Sequence, residues 1–462
     1  MKFFAVLGVL VLATMADAGV SMNNPNYCYM TDNIKSMTNM FGALTSYEAI
    51  RRFNFTTVNP YRSTCEASRF WYLGRYGTRY PHPGNFNAMI NMANSNFQQD
   101  IINNYNEGRT TLCREDFEAL STWTIPPYFN IGFASMTTPS GVLAVQEIAR
   151  RYQANFPGIL NGTYSPDRFL FRHTWSERTT TSLRAFASGL FGVEDAQNVV
   201  YEPVPTRDWF LRPFDFCPLF DQQHGWVSVE REAFLEGPEI AEMVEQLNAK
   251  LGLTGGNRIG FQQIFTVWDW CRFETAYTFE FSDSPTGYNS TWCAAFSVAH
   301  QLLLEYTTDL YTFHTTGYGV PNQRLLENLH CGLAQDLLTH LRSDNPTDQM
   351  ARIFMSYAEE IQGMLVTLGA FRDVWPFHRH NFAQHSSRHW IGSLITPFSS
   401  NLAVVRYDCD DGDNDIVFYL NERPILIPGC NQQNGVCKLS NIERIFQRFI
   451  DVDCEEFFCS DN

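Results

Sequence analysis

The chain has 462 residues, more than one hydrophobic core usually organises, so two or more domains are expected. Its 33 lysines and arginines face 49 aspartates and glutamates, and the formal charge of −16 argues against nucleic acid, whose phosphates require a basic footprint. A small anionic ligand is not excluded, because a few clustered arginines can reverse the potential inside one cleft.

Residues 1–18 read MKFFAVLGVLVLATMADA, with one lysine, a short apolar run and small residues at Ala16 and Ala18. The run is shorter than the roughly 20 residues of a membrane span. The segment fits a secretory signal peptide cleaved after Ala18, which predicts a secreted, extracellular protein with no stable membrane insertion. All 12 cysteines lie beyond that leader, and an even number in an oxidising compartment predicts disulfides of open connectivity. Cys430 with Cys437, and Cys454 with Cys459, are close enough in sequence to close small surface loops. Asn54, Asn161 and Asn289 each begin an Asn-x-Ser/Thr sequon and are expected to be glycosylated and to face solvent.

Phe70–Gly77 (FWYLGRYG) reads as a buried strand ending in a glycine turn. Arg75 and Arg79 flank Gly77 just after that strand. Their rigid donor forks can clamp the oxygens of one phosphate, and the glycine allows close backbone approach to an anion. Helical patterns follow at 85–107, 143–155 and 230–250, and 285–345 is mostly helical. Strand signals return at 395–410, 416–422 and 423–429, the last two separated by little more than Asn421 and Glu422. Asp410–Asp415 (DDGDND) reads as a hairpin or short loop; the wider DCDDGDND lacks the glutamate that a calcium loop needs at its twelfth position.

His385 and His389 would share one face if 383–391 were helical, the spacing of a zinc pair, but no carboxylate or cysteine stands at a supporting position. No metal and no cofactor is expected. Trp175, Trp268, Trp270 and Trp375 suggest an aromatic interior or cleft wall.

Several motifs occur in a characteristic order: LGRYGTRYP at 73–81, SERT at 176–179 followed by AFASGLFG, VWDWCRFE at 267–274, NSTWCAAF at 289–296, GYG at 317–319, YAEE at 357–360 with LGAFRD, and PFSSNLAVVRYDCD at 397–410. Together they resemble the histidine acid phosphatases, in their multiple inositol polyphosphate phosphatase, phytase-like branch. The resemblance implies an α/β fold: a sheet domain flanked by helices, with an inserted, mainly helical domain. The expected division is a signal peptide at 1–18, the first part of the α/β domain at 19–110, a helical insertion at 111–165, a return to the phosphate pocket at 166–195, a second helical insertion at 196–345, and the second part of the α/β domain at 346–462.

In that family the first motif is Arg-His-Gly-x-Arg, whose histidine is the nucleophile; here the position is Tyr76. The later His-Ala-Glu motif is Tyr357-Ala358-Glu359, which replaces a phosphate-holding histidine by Tyr357 and leaves Glu359 at the proton-donor position. Arg75, Arg79 and Arg178 match the phosphate-binding arginines. An imidazole near neutral pH offers a free nitrogen and forms a labile N–P bond. A phenol, with an ordinary pKa of about 10, would form a stable aryl ester. The two tyrosines either add hydroxyl donors or fill the space a phosphate would use, and His173, five residues before Arg178, is the histidine to check for a compensating role.

The expectation is a secreted phosphatase-like protein, inactive or strongly impaired, that binds a phosphorylated or other anionic small molecule through the retained arginines. Two alternatives stand beside it: an active phosphatase on inositol polyphosphates or other phosphomonoesters, and an extracellular interaction protein with a closed pocket. The sequence names no protein partner.

Overall fold

The computed structural model describes residues 27–33, 35–53, 65–278, 290–376, 378–385, 388–410 and 412–460. Its centre is a mixed sheet in the order β2-β3-β1-β4-β5-β6, where β1 is Glu66–Arg75, β2 Phe169–His173, β3 Ala351–Ser356, β4 Asn401–Asp408, β5 Asp415–Leu420 and β6 Arg423–Pro424. A seventh strand, β7 (Val436–Lys438), pairs with β5. β1 runs parallel to β3 and antiparallel to β4, and β2 runs parallel to β3.

The apolar run of β1 is explained by cover on both faces. Alternate side chains divide into two cores, as the period of two requires. Trp71 and Leu73 join Phe354, Val404 and Phe418 on one face. Phe70 and Tyr72 join Ile353, Val405 and Tyr419 on the other. The first face is covered by the helices Cys331–Arg342 and Ala358–Thr367, and the Trp71 Nε1 donates to Asp336 of the former at 2.8 Å. The second is covered by the helices Pro139–Asn155 and Glu177–Asp195, through Ile148, Tyr152 and Phe186.

The helical segments are broken where sequence punctuation interrupts them. Residues 85–107 form two helices, Pro83–Ala93 and Phe97–Asn106, and 230–250 is divided at Gly237 between Pro218–Leu235 and Pro238–Lys250. Each of Pro83, Pro218 and Pro238 opens a helix, where its missing N–H costs nothing. Asn421 and Glu422 both have positive φ, 50° and 64°, the conformation of a two-residue turn between twisted strands. The expected strand over 423–429 shrinks to Arg423–Pro424, followed by one further bond from the Ile425 N–H to the Phe418 carbonyl at 2.9 Å.

Six disulfides are present: Cys28–Cys113, Cys65–Cys409, Cys217–Cys459, Cys271–Cys293, Cys331–Cys454 and Cys430–Cys437. Cys430 and Cys437 close a small loop as expected. Cys454 and Cys459 do not pair with each other: a turn of helix, Cys454–Phe457, separates them and directs each to a different part of the chain.

Candidate functional site

β1 and β3 end in register, Arg75 opposite Ser356, so the residues that follow emerge side by side beyond the strands' carboxyl ends. Those residues are Tyr76 and Tyr357, and the Tyr76 N–H donates to the Ser356 carbonyl at 3.3 Å. This is where open α/β sheets place their ligands. β2 ends nearby and leads into the helix Glu177–Asp195, whose first turn carries Arg178 and whose N-cap is Ser176. The helix Ala358–Thr367 begins directly after Tyr357 and sets Glu359 in its first turn.

Arg75, Tyr76, Arg79, Arg178, Tyr357 and Glu359 line one cavity of about 890 Å³, although their sequence positions span much of the chain. Arg75 is only 4% exposed and Arg79 7%. The Arg75 Nη1 donates to the backbone carbonyls of Ala43 and Thr396, which fixes the guanidinium without neutralising it. Arg79 donates from Nη1 to the Tyr80 carbonyl at 2.9 Å and from Nε to the Tyr76 hydroxyl at 3.4 Å. The Arg178 guanidinium lies 4.8 Å from the ring centre of Tyr76 and 4.6 Å from that of Tyr357. Arg212 packs on Tyr357 as well, at 4.0 Å. Among the described residues none of Arg75, Arg79 and Arg178 forms an ion pair with a carboxylate, and the Nε atoms of Arg75 and Arg178 are buried with no hydrogen-bond partner.

These charges act on the titratable groups around them. Burial opposes ionisation of the Tyr76 phenol, but Arg79, Arg75 and Arg178 outweigh it and hold the pKa down at about 7. Burial keeps Tyr357 above its ordinary value, only partly offset by Ser176, Arg178 and Arg212. Partial desolvation at the cavity rim, reinforced by Arg79 and Arg178, pushes the otherwise exposed His82 down to about 4. Glu360, buried behind Tyr357, is raised to about 8, with Arg212 opposing the rise and Glu359 adding to it.

The glycine expected beside an anion has another use. A Cβ on Gly77 would lie 2.4 Å from the Gly141 carbonyl oxygen, so the residue permits close packing against the start of the helix Pro139–Asn155. Its N–H is already given to the Ser182 hydroxyl at 2.9 Å.

Arg212, Arg231, Arg272 and His82 also line the cavity and escaped the sequence reading. Arg272 lies within VWDWCRFE and could have been found there. Thr308, Tyr311, Thr312 and Thr315 form a polar stripe at helical spacing on Val298–Thr315, a second signal present in the sequence. Arg212 and Arg231 carried none.

Other candidates lie elsewhere or are spent. His173 ends β2, its Nδ1 2.7 Å from the Thr174 carbonyl oxygen, and does not line the cavity. The helical condition for a His385–His389 pair is not met among the described residues: Phe382–His385 is a single tight turn, and the backbone N–H of His389 turns to Asp373. Asp413 and Asp415 in the acidic loop engage Ser440 and Lys438. Trp268 and Trp270 are fully buried, whereas Trp175 and Trp375 are 66% and 74% exposed and form no interior wall. Asn161 is exposed after the short helix Pro157–Leu160. Asn54, Asn289 and the leader lie outside the described residues.

The profile of the histidine phosphatase superfamily (branch 2) matches residues 72–421. The chain is 30% identical over 450 residues to multiple inositol polyphosphate phosphatase 1 of Drosophila melanogaster, covering 95% of this chain and 91% of that protein. It is 24% identical over 400 residues to multiple inositol polyphosphate phosphatase 1 of Homo sapiens, covering 81% and 79%. Its fold is similar to that of the phytase from D. castellii, with a TM-score of 0.69 at 14% identity over 92% of this chain and 88% of the other. The multiple inositol polyphosphate phosphatase of Bifidobacterium longum, in complex with inositol hexasulfate, gives a TM-score of 0.62 at 11% identity over 88% and 97%.

Proposed function

The chain belongs to branch 2 of the histidine phosphatase superfamily, among homologues of the multiple inositol polyphosphate phosphatases, and on that premise we propose that it is a secreted, catalytically silent or strongly impaired member that binds a phosphorylated or similar oxyanionic ligand. One observation carries this reading: Arg75, Arg79 and Arg178 converge on a cavity without a carboxylate partner among the described residues. Each guanidinium can give an oxyanion charge-assisted hydrogen bonds, worth about 1.5–3 kcal/mol apiece.

On this reading, carried by the resemblance of the motifs, Tyr76 stands in for the family's nucleophilic histidine and Tyr357 for its second histidine. A phenolate that attacked phosphorus would leave a phosphotyrosine ester, and the rim histidine His82 is kept neutral by partial desolvation and its arginine neighbours. On the same reading Glu359 keeps the proton-donor role, but a donor without a nucleophile does not complete a turnover. Six disulfides suit an oxidising compartment, and among the described residues no helix is long and apolar enough to cross a membrane.

A second reading, an interaction protein whose pocket is closed, is favoured by one contact: the Tyr357 ring packs against both Arg178 and Arg212. Phosphate-release assays over a broad set of phosphomonoesters, paired with calorimetry using inositol phosphates, inorganic phosphate and sulfate, separate the readings. Binding without release supports the first, neither binding nor release supports the second, and multiple turnover overturns both.

A further inference from the structure

The Tyr76 hydroxyl occupies an unusual position for a neutral phenol. The side chain is 5% exposed, and its oxygen accepts from the Arg79 Nε–H. Among the described residues no acceptor stands within hydrogen-bonding distance to take the hydroxyl's own proton. The Arg75 and Arg178 guanidiniums lie 5.1 Å and 4.8 Å from its ring centre. A group that meets only donors and cations is better matched in its ionised form, as a phenolate. The same arginines lack carboxylate partners, so the phenolate is the counter-charge that the protein can place in contact with them.

From this geometry we infer that Tyr76 is the resident counter-anion of the arginine cluster, and that an external tetrahedral oxyanion enters the pocket together with a proton taken by the phenolate. The inference rests on the anion-binding reading and adds a proton to it. The balance is simple: phenolate, one solvent proton and the free anion become neutral phenol with the anion bound, and no other bond forms or breaks. Affinity therefore falls as pH rises through the phenol's titration near 7.

Charged and titratable neighbours face Tyr76 from each surrounding element. Arg75 and Arg79 come from its own segment, Arg178 from Glu177–Asp195, and Tyr357 and Glu359 from the start of Ala358–Thr367, with His82 and Arg212 farther out on the cavity wall. Partial desolvation and the arginines hold the rim residue His82 near 4, well below the window, and burial keeps Tyr357 above its ordinary value. Glu360 titrates near 8 and is the group able to imitate the effect. It accepts from the Tyr357 N–H and faces Arg212.

Sulfate is the probe, because it remains a dianion throughout the range and any pH dependence then belongs to the protein. Ultraviolet titration of sulfate-free protein should show one phenolate appearing near neutral pH, absent in Tyr76→Phe, and added sulfate should abolish that absorbance in the wild type. Sulfate affinity measured by calorimetry should fall about thirtyfold between about pH 6 and about pH 8.5. Near the upper limit, buffers of different ionisation enthalpy should report uptake of nearly one proton per sulfate. Tyr76→Phe should lose most of this slope, while Glu360→Gln should keep it.

Sulfate binding of equal strength at both pH values, or a slope lost in Glu360→Gln and kept in Tyr76→Phe, overturns the inference alone. No sulfate binding at any pH, with the phenolate signal intact, overturns it through the binding reading beneath it. The sulfate-induced loss of absorbance in the wild type decides the matter even if the phenylalanine variant fails to fold.

Discussion

Tyr76 and Tyr357 stand edge to face, their ring centres 5.3 Å apart and their planes at 82°. Each occupies the first position after a strand of the same parallel pair, so their contact follows from the register of β1 and β3. Arg178 packs on both rings. Aromatic faces thus occupy part of the coordination that a bound oxyanion would otherwise take, and this relationship frames what the pocket does.

Turnover should be low. Phosphate release from inositol hexakisphosphate or an aryl phosphate is expected to fall at least about a thousandfold below that of a histidine-bearing relative, within the range that acid–base participation alone supplies. A colorimetric phosphate assay under multiple-turnover conditions checks this. A rate near that of an ordinary enzyme would reject the silent-pocket reading, as would accumulation of phosphotyrosine at 76.

Arg79→Ala should weaken binding of a phosphorylated ligand by about 2–5 kcal/mol, the cost of leaving a hydrogen-bonded charge unpaired. Folding should persist, because Arg79 makes its hydrogen bonds within its own loop, to Tyr80 and Tyr76. Calorimetry reads the affinity, and added salt should weaken it further in the wild type as the local charges are screened. Equal affinity in the variant would place the ligand elsewhere.

Stability should carry the mark of Tyr76. Its phenol is held at about 7 in the folded protein, below the ordinary value of 10.0. A depressed acid favours the folded state once ionised, so its contribution is complete above about pH 10 and is lost as pH falls through about 7. Denaturant midpoints of wild type and Tyr76→Phe should therefore diverge progressively from about pH 7 to about pH 10 and run parallel below about pH 6. A gap that stays constant across that range would mean the phenol is not depressed.

Gly77→Ala should destabilise the fold by about 1–3 kcal/mol through overpacking. The new methyl would meet the Gly141 backbone, which cannot turn aside as a flexible side chain could. A thermal melt measures this, and an unchanged melting temperature would show that the helix start yields.

Local signals in the sequence were enough to locate β1, the break at Asn421 and Glu422, and the arginines beside Gly77. An apolar run, a two-residue gap between strands and a glycine flanked by donors each carry their physical cause within a few residues. The partners of Cys454 and Cys459 were not readable in the same way, because Cys331 and Cys217 reach them only through tertiary packing. Arg212 and Arg231 enter the cavity from segments with no local signature of an anion site. Trp175 and Trp375 misled because aromatic character alone does not distinguish a core position from an exposed one.

The position of β1 also governs when the fold can assemble. This strand, at residues 66–75, lies between β3 at 351–356 and β4 at 401–408, and Cys65 is tied to Cys409 across 344 residues of sequence. Contacts of such long separation slow folding, because the loop entropy must be overcome before the pairing rewards it. During synthesis β1 therefore emerges with both apolar faces uncovered and waits for neighbours made several hundred residues later. Such a chain depends on protection from aggregation in that interval, and the Cys65–Cys409 bond records the late closure of the sheet.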